Sequence, residues 1–317
     1  MYKNSLVAYL DILGLTDAID ETRNIPSKAD KIFNMLAEVH NTAKLIMEGA
    51  NSRWKMDIKV HVFSDSVIIS YPDLSSDAFI RIAHIISAMQ WVIMPHHFFF
   101  RGAVSWGGHY EQDEVYFGPA FIDALRLEKQ CVWPRVIIDP VVLKGLDSSE
   151  LERAAESYLI RDANGLFYLN YLHLASVVQL LYSEENDASK IDPTSAYKRH
   201  KKYLLGAVDE IKAKARVDLL SKYHSVGRYH NDHVTYIIEG LPTSDNYREI
   251  DQNTEVGELI TIIKTALLTK ENLTEAEADS YLSSYVQKLN KAREIMTECK
   301  INLETTFDYL YPNISDK

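Results

Sequence analysis

The chain has 317 residues, with 45 acidic side chains against 34 lysines and arginines, giving a formal net charge of −11. With 46% hydrophobic and 25% charged residues it has material for a sizeable core and is not disordered, and the acidic balance argues against broad nucleic-acid binding. Two cysteines, Cys131 and Cys299, form no disulfide framework and no zinc spacing, which suits a reducing cytosol.

The first apolar run, Leu6 to Leu10, is short and ends at Asp11, so it reads as a buried strand rather than a secretory leader. Asp30 to Met47 carries apolar residues at helix spacing (Ile32, Phe33, Leu36, Val39, Ala43). Ile58 to Val62 and Val67 to Tyr71 are β-branched runs around Phe63-Ser64-Asp65-Ser66, a hairpin with an acid in its turn. Ser76 to Ile93 predicts a helix stopped by Pro95. The stretch from Ile85 to Phe100 is broken by Gln90, Pro95, His96 and His97, so no membrane span is expected.

Phe98 to Trp106 and His109 to Phe117 read as a second strand pair turning at Gly107-Gly108. Pro119 to Glu128 is a helix with proline in its first turn. Val136 to Asp139 is a short strand, and two more flank the turn Asp162 to Gly165. Hairpins alternating with helical crossovers predict an α+β domain over residues 1–172, with a mostly antiparallel sheet and packed helices. Residues 173–317 read as a mainly helical region, with Ser183 to Thr194 as a polar linker and long helical patterns over Ser195 to Tyr223 and Glu275 to Tyr309. His224, His230 and His233 match no standard zinc spacing and read as packing residues.

Asp11 and Asp65 each sit where a strand ends. Were the first strand to lie beside the hairpin, the two carboxylates would converge at one end of the sheet. Two carboxylates next to a glycine-containing turn suit divalent ions and a triphosphate: the acids hold the metal and free backbone N–H groups face the phosphates. Either acid also serves as an ordinary cap or turn residue. Arg101 at the start of a buried strand is costly unless it meets an anion.

These blocks, in this order, resemble the class III nucleotidyl cyclase catalytic domain, which is ferredoxin-like. That family opens with a strand and D-I-x-G-F-T, and here stands Asp11-Ile12-Leu13-Gly14-Leu15-Thr16. Its second metal acid lies in a G-D turn, matched by Ser64-Asp65. A later strand R-x-G-x-x-x-G is matched at Arg101 and Gly107, and the helix motif G-x-x-V-N-x-A-x-R at Gly118, Ala124 and Arg126. Where the family has its asparagine this chain has Ile122, and the two purine-selecting positions hold His61 and Val115. Retained acids and arginine with altered base readers most resemble the bacterial pyrimidine cyclases of the Pycsar anti-phage systems.

The resemblance implies that Asp11, Asp65 and the Ile12 carbonyl bind two divalent ions, Mg2+ or Mn2+, ~4 Å apart. It implies that Leu13, Gly14, Leu15 and Thr16 hold the β- and γ-phosphates, that Arg101 adds charge to the triphosphate, and that His61 is a candidate base reader, with Tyr9 nearby. Arg126 is the implied transition-state residue. The substrate is expected to be CTP or UTP and the product cyclic CMP or cyclic UMP, read by a separate effector protein. The expected assembly is a cytoplasmic homodimer with its sites at the interface, engaging neither nucleic acid nor membrane. The alternatives are a purine cyclase and a catalytically inactive nucleotide-binding signalling domain.

Overall fold

The computed structural model describes residues 2–54, 57–112, 115–146, 158–172, 194–240, 247–250, 255–270, 273–291, 293–307 and 310. They fall into two compact units, Met1–Tyr171 and Leu172–Lys317.

The first unit opens with β1 (Lys3–Ile12), a short α1 (Leu15–Glu21) and α2 (Ser27–Trp54). The hairpin β2 (Lys59–Phe63) and β3 (Ser66–Tyr71) follows, then α3 (Ser76–Ile93) and β4 (Phe100–Gln112). These strands order as β2-β3-β1-β4, and every neighbouring pair among them is antiparallel. That is the ferredoxin-like βαββαβ arrangement. Its two crossovers are right-handed by the usual rule and therefore place α2 and α3 on the same face. The sheet continues through β6 (Val136–Ile138), β8 (Phe167–Leu169) and β7 (Leu159–Arg161), with β6 parallel to β4. The α+β class with a mostly antiparallel sheet is thus the class expected.

Alternation along the strands sorts the sheet into two chemically different faces. Leu6, Ala8, Leu10 and Ile12 of β1 and Val67 and Ile69 of β3 point one way and are buried. Ser5, Val7, Tyr9 and Asp11 point the other way, beside Ser66, Ile68 and Ser70 of β3 and Arg101, Ala103 and Ser105 of β4. Over this more polar face lies α4 (Pro119–Glu128), whose Ala120 packs with Val7 and Ile68 while Phe121 adds an aromatic edge.

Two helices have the bounds the sequence predicted, and each has a local reason. Ser75 caps α3 by accepting from the Ala78 N–H at 3.1 Å. Gly118 and Pro119 open α4. Gly118 has φ 150°, and a Cβ there would run into the Gly108 carbonyl, so only glycine lets the helix start so close to β4. With its 3-10 extension, α3 spans Ser76–His96, long and apolar enough to cross a bilayer, but 67% of its most apolar window is buried in the fold.

One expected turn is absent. Gly107-Gly108 does not reverse the chain; β4 runs straight through it for 13 residues. Ser5, Asn4 and Lys3 continue the β1 ladder against Gly107, Gly108 and His109. The reversal falls after Gln112, and β5 (Val115–Phe117) pairs back onto β4. The ladder satisfies the glycines' backbone groups, and a Cβ added at either would meet Ala120 or Tyr2 at no closer than 3.7 Å, so the packing there does not demand glycine.

The second unit is helical throughout its described residues. The run expected from Ser195 to Tyr223 is two helices, Ser195–Ala213 and Val217–Gly240. Ala215 takes φ 53° between them, and the Arg216 N–H donates to the Ile211 carbonyl at 3.3 Å, closing a helix end without the glycine that usually marks one. Helices also form at Glu255–Lys270, Glu275–Lys291, Arg293–Cys299 and Leu303–Thr306. The first of these was not read from sequence, because its apolar residues come in adjacent pairs such as Ile262-Ile263 and blur the helical period. The expected linker, Ser183 to Thr194, lies outside the described residues apart from Thr194.

Two buried imidazoles lock the second unit. His200 and His230 stack with rings 12° apart and their Nδ1 atoms 3.0 Å from each other. His230 Nε2 donates to the Cys299 carbonyl at 2.9 Å, so its Nδ1 is the acceptor and His200 supplies the proton between the rings. His224 instead packs edge-on against Phe307. Burial holds the His230 pKa down at about 4 and that of His200 well below its ordinary value. The unfolded chain takes up these protons near pH 6.5, so their neutral forms contribute full stability above that pH, and it is lost as pH falls toward 4. His230 alone should cost about 3 kcal/mol across that window. Denaturant midpoints should therefore fall steeply between pH 7.5 and pH 5; a flat profile would contradict the neutral, buried state of the pair.

Candidate active site

The end of β1 and the β2–β3 turn are stitched together by backbone. The Ile12 N–H donates to the Asp65 carbonyl at 2.8 Å, and the Leu13 N–H to that of Phe99 at 3.0 Å. The turn has two residues, since Phe63 pairs with Ser66. Ser64 takes φ 53° there, the left-handed conformation of the glycine that the resemblance puts at this position. The stitching brings Asp11 and Asp65 to one end of the sheet, close enough for the Asp65 charge to raise the Asp11 pKa. The chain then turns through Gly14 at φ 80° into α1. Leu13 and Leu15 bury their side chains, so the turn presents backbone, with Thr16 exposed.

Arg101 stands opposite Asp11 in the β1–β4 register. Its Nε lies 2.8 Å from Asp11 Oδ2 and 2.7 Å from Glu128 Oε1. Glu128, on the last turn of α4, is buried and was not read from sequence as a site residue. Burial pushes the Asp11 and Glu128 pKa values up by more than the guanidinium pulls them down. The Arg101 charge is therefore engaged by two carboxylates of its own subunit. Two acids meet the guanidinium and Asp65 lies near enough to Asp11 to act on it, and this surplus of negative charge and hard oxygen donors fits a divalent cation at Asp11 and Asp65. Among the described residues, no group of three or more His, Cys, Asp or Glu side chains could hold a metal by itself.

Arg126 is not part of this cluster. Its side chain is 73% exposed and meets Asp123 at 3.1 Å. Glu128 faces the sheet, and Arg126, two residues earlier, lies about 200° around the helix from it. Ile122, at the position of the family asparagine, is exposed, as are Phe63, Val115 and Phe117.

His61, on β2, sits on the same face as Asp11 but away from the acid pair. Its Nε2 bonds the Glu111 carboxylate, and its ring lies 5.0 Å from that of Tyr116. Tyr116 and Tyr9 both meet Phe121 edge-on, at 5.7 Å and 6.0 Å, and the Tyr9 hydroxyl is 2.9 Å from Ser66 Oγ. Glu111 went unread in the sequence. Its signal was available, since His109 and Glu111 at i, i+2 share one face of a strand.

No protein-family model matches the chain, and no curated protein does. Among solved structures it is similar to the adenylyl cyclase CyaB from P. aeruginosa, at 15% identity and TM-score 0.36, over 53% of this chain and 94% of that one. It is also similar to a class III adenylyl cyclase-like ATP-binding protein from Pseudomonas aeruginosa, at 10% identity and TM-score 0.37, over 54% of this chain and 39% of that one. The fold described above rests on strand order and register, not on these likenesses.

Proposed function

We propose that this protein is a nucleotidyl cyclase that converts a pyrimidine nucleoside triphosphate to its 3′,5′-cyclic monophosphate and pyrophosphate. The observation that carries the reading is the convergence of Asp11 and Asp65 beside the left-handed turn at Gly14. The ferredoxin-like strand order is the one the cyclase motifs require.

In this reading Asp11 and Asp65, with the Ile12 carbonyl, hold Mg2+ or Mn2+. When bound, such ions supply the charge that acidifies the ribose 3′-hydroxyl and neutralises the departing pyrophosphate. The Leu13 to Thr16 turn binds the β- and γ-phosphates through backbone N–H groups. Arg126 stabilises the charge that develops on the α-phosphoryl oxygens. Arg101 holds Asp11 and Glu128 in place, and its charge reaches the triphosphate in this reading only by giving up one of those carboxylates.

Arg126 points away from the acids of its own subunit, so we assign it to the site of a second copy. Phe63, Val115, Phe117 and Ile122 are exposed apolar residues that a second copy could cover. The product is proposed as a second messenger read by a separate effector in anti-phage defence. A second reading, nucleotide binding without turnover, is favoured by Ile122 where an asparagine would orient the ribose. Incubation with each of the four triphosphates and Mn2+ separates the readings: cyclic CMP or cyclic UMP with pyrophosphate supports the first, and binding without pyrophosphate release supports the second.

A further inference from the structure

The Glu111 cluster has no part in the chemistry above, yet it is built as a recognition site. Glu111 is a nearly buried carboxylate, its side chain 7% exposed. Its two oxygens are bonded by His61 Nε2 and by the Ser70 hydroxyl, and His109 Nε2 lies 3.4 Å away. Burial opposes its ionisation, but these hydrogen bonds win and hold its pKa well below the carboxylate range. His109 is itself buried, and neither ring nitrogen has a partner of hydrogen-bond geometry. Beside the cluster opens a cavity of about 220 Å³, lined among others by Ser5, Lys59, Ser70, His109 and Glu111. His61 of the cluster also lies against the Tyr116 ring, and Tyr116 against Phe121.

A buried ionised carboxylate needs a purpose, because an apolar replacement costs less than a charge held in place by the two hydrogen bonds from His61 and Ser70. Ionised Glu is acceptor-only and offers about four lone-pair sites, of which His61 and Ser70 take two. A planar ring bearing an amino group and entering the cavity satisfies what remains. We propose that Glu111, clamped by His61 and Ser70, reads the base of the substrate by accepting from an exocyclic amino group, and so selects cytosine over uracil. The inference rests on the cyclase reading and names its substrate as CTP. Uracil presents a carbonyl oxygen where cytosine presents its amino group, and two acceptors then face each other. Such a mismatch leaves buried groups unpaired and discriminates by tenfold or more.

The test uses the full-length enzyme with Mn2+ and a mixture of CTP and UTP. Wild type should favour CTP at least tenfold in kcat/KM. Glu111→Gln keeps the size and the Ser70 contact but offers an amide donor to the uracil oxygen. It should shrink the CTP-to-UTP ratio at least tenfold, with the change carried mainly in KM. A wild-type enzyme that turns over UTP as well as CTP overturns the inference, whether or not the variant folds. So does a folded Glu111→Gln enzyme with the wild-type ratio. Wild type that forms no cyclic nucleotide from any triphosphate overturns the cyclase reading instead.

Discussion

Asp65→Asn should reduce cyclic-nucleotide formation by about a thousandfold or more, because several kcal/mol of transition-state stabilisation rest on charge held by this pair of acids. Asp11→Asn should do the same. The two variants should nevertheless differ in stability. Asp65 raises the pKa of its neighbour Asp11, so neutralising it relieves a like-charge contact, and the thermal midpoint should hold or rise. Asp11 is a partner of Arg101 at 2.8 Å in a partly buried ion pair, and its replacement leaves Glu128 to carry the guanidinium alone. That variant should melt several degrees lower, since breaking a buried pair leaves an undercompensated charge. Activity assays and thermal melts on the same preparations check both halves. Full activity in either variant would remove the acids from the site.

Arg126→Ala and Asp65→Asn should each be inactive alone and active together. Arg126 is exposed and on the far side of α4 from Glu128, so we place it in the site of a second copy. In a two-fold dimer that shares its sites, a mixed pair carries both lesions in one site and none in the other. Random assembly of equal amounts should then restore about one quarter of wild-type activity, since half the dimers are mixed and each has one good site of two. The two chains are co-expressed with different tags, and the heterodimer isolated by tandem capture should show about one half of wild-type activity, one good site of two. A verified heterodimer with no activity would mean that acids and arginine act within one subunit or that Arg126 is not the transition-state residue.

How much of this was legible in the sequence depends on whether the cause was local. Ser75 and the Gly118-Pro119 step mark helix starts through their own capping chemistry, and α3 and α4 have the bounds read from them. Gly107-Gly108 carries the same local signature as a turn but lies inside β4, because the β1 ladder opposite it decides the conformation. Asp11 and Asp65 stood out as strand-end acids, whereas the partners of Arg101 did not. The need for an anion at Arg101 was readable from its position. That the anions are Asp11, 90 residues away, and Glu128 depends on strand register and on how α4 seats on the sheet. Glu111 shows the same limit, since its bonds reach Ser70 and His61 across 41 and 50 residues. Local pattern exposes a residue with unmet chemistry; the fold supplies the partner.

The most direct measurement of the central claim is product identification by mass spectrometry after the purified full-length chain is incubated with Mn2+ and ATP, GTP, CTP and UTP separately. The account predicts cyclic CMP with stoichiometric pyrophosphate from CTP, much less cyclic UMP from UTP, and little product from either purine. Cyclic AMP or cyclic GMP as the main product would contradict the pyrimidine assignment, and the absence of any cyclic nucleotide under these conditions would contradict the cyclase itself.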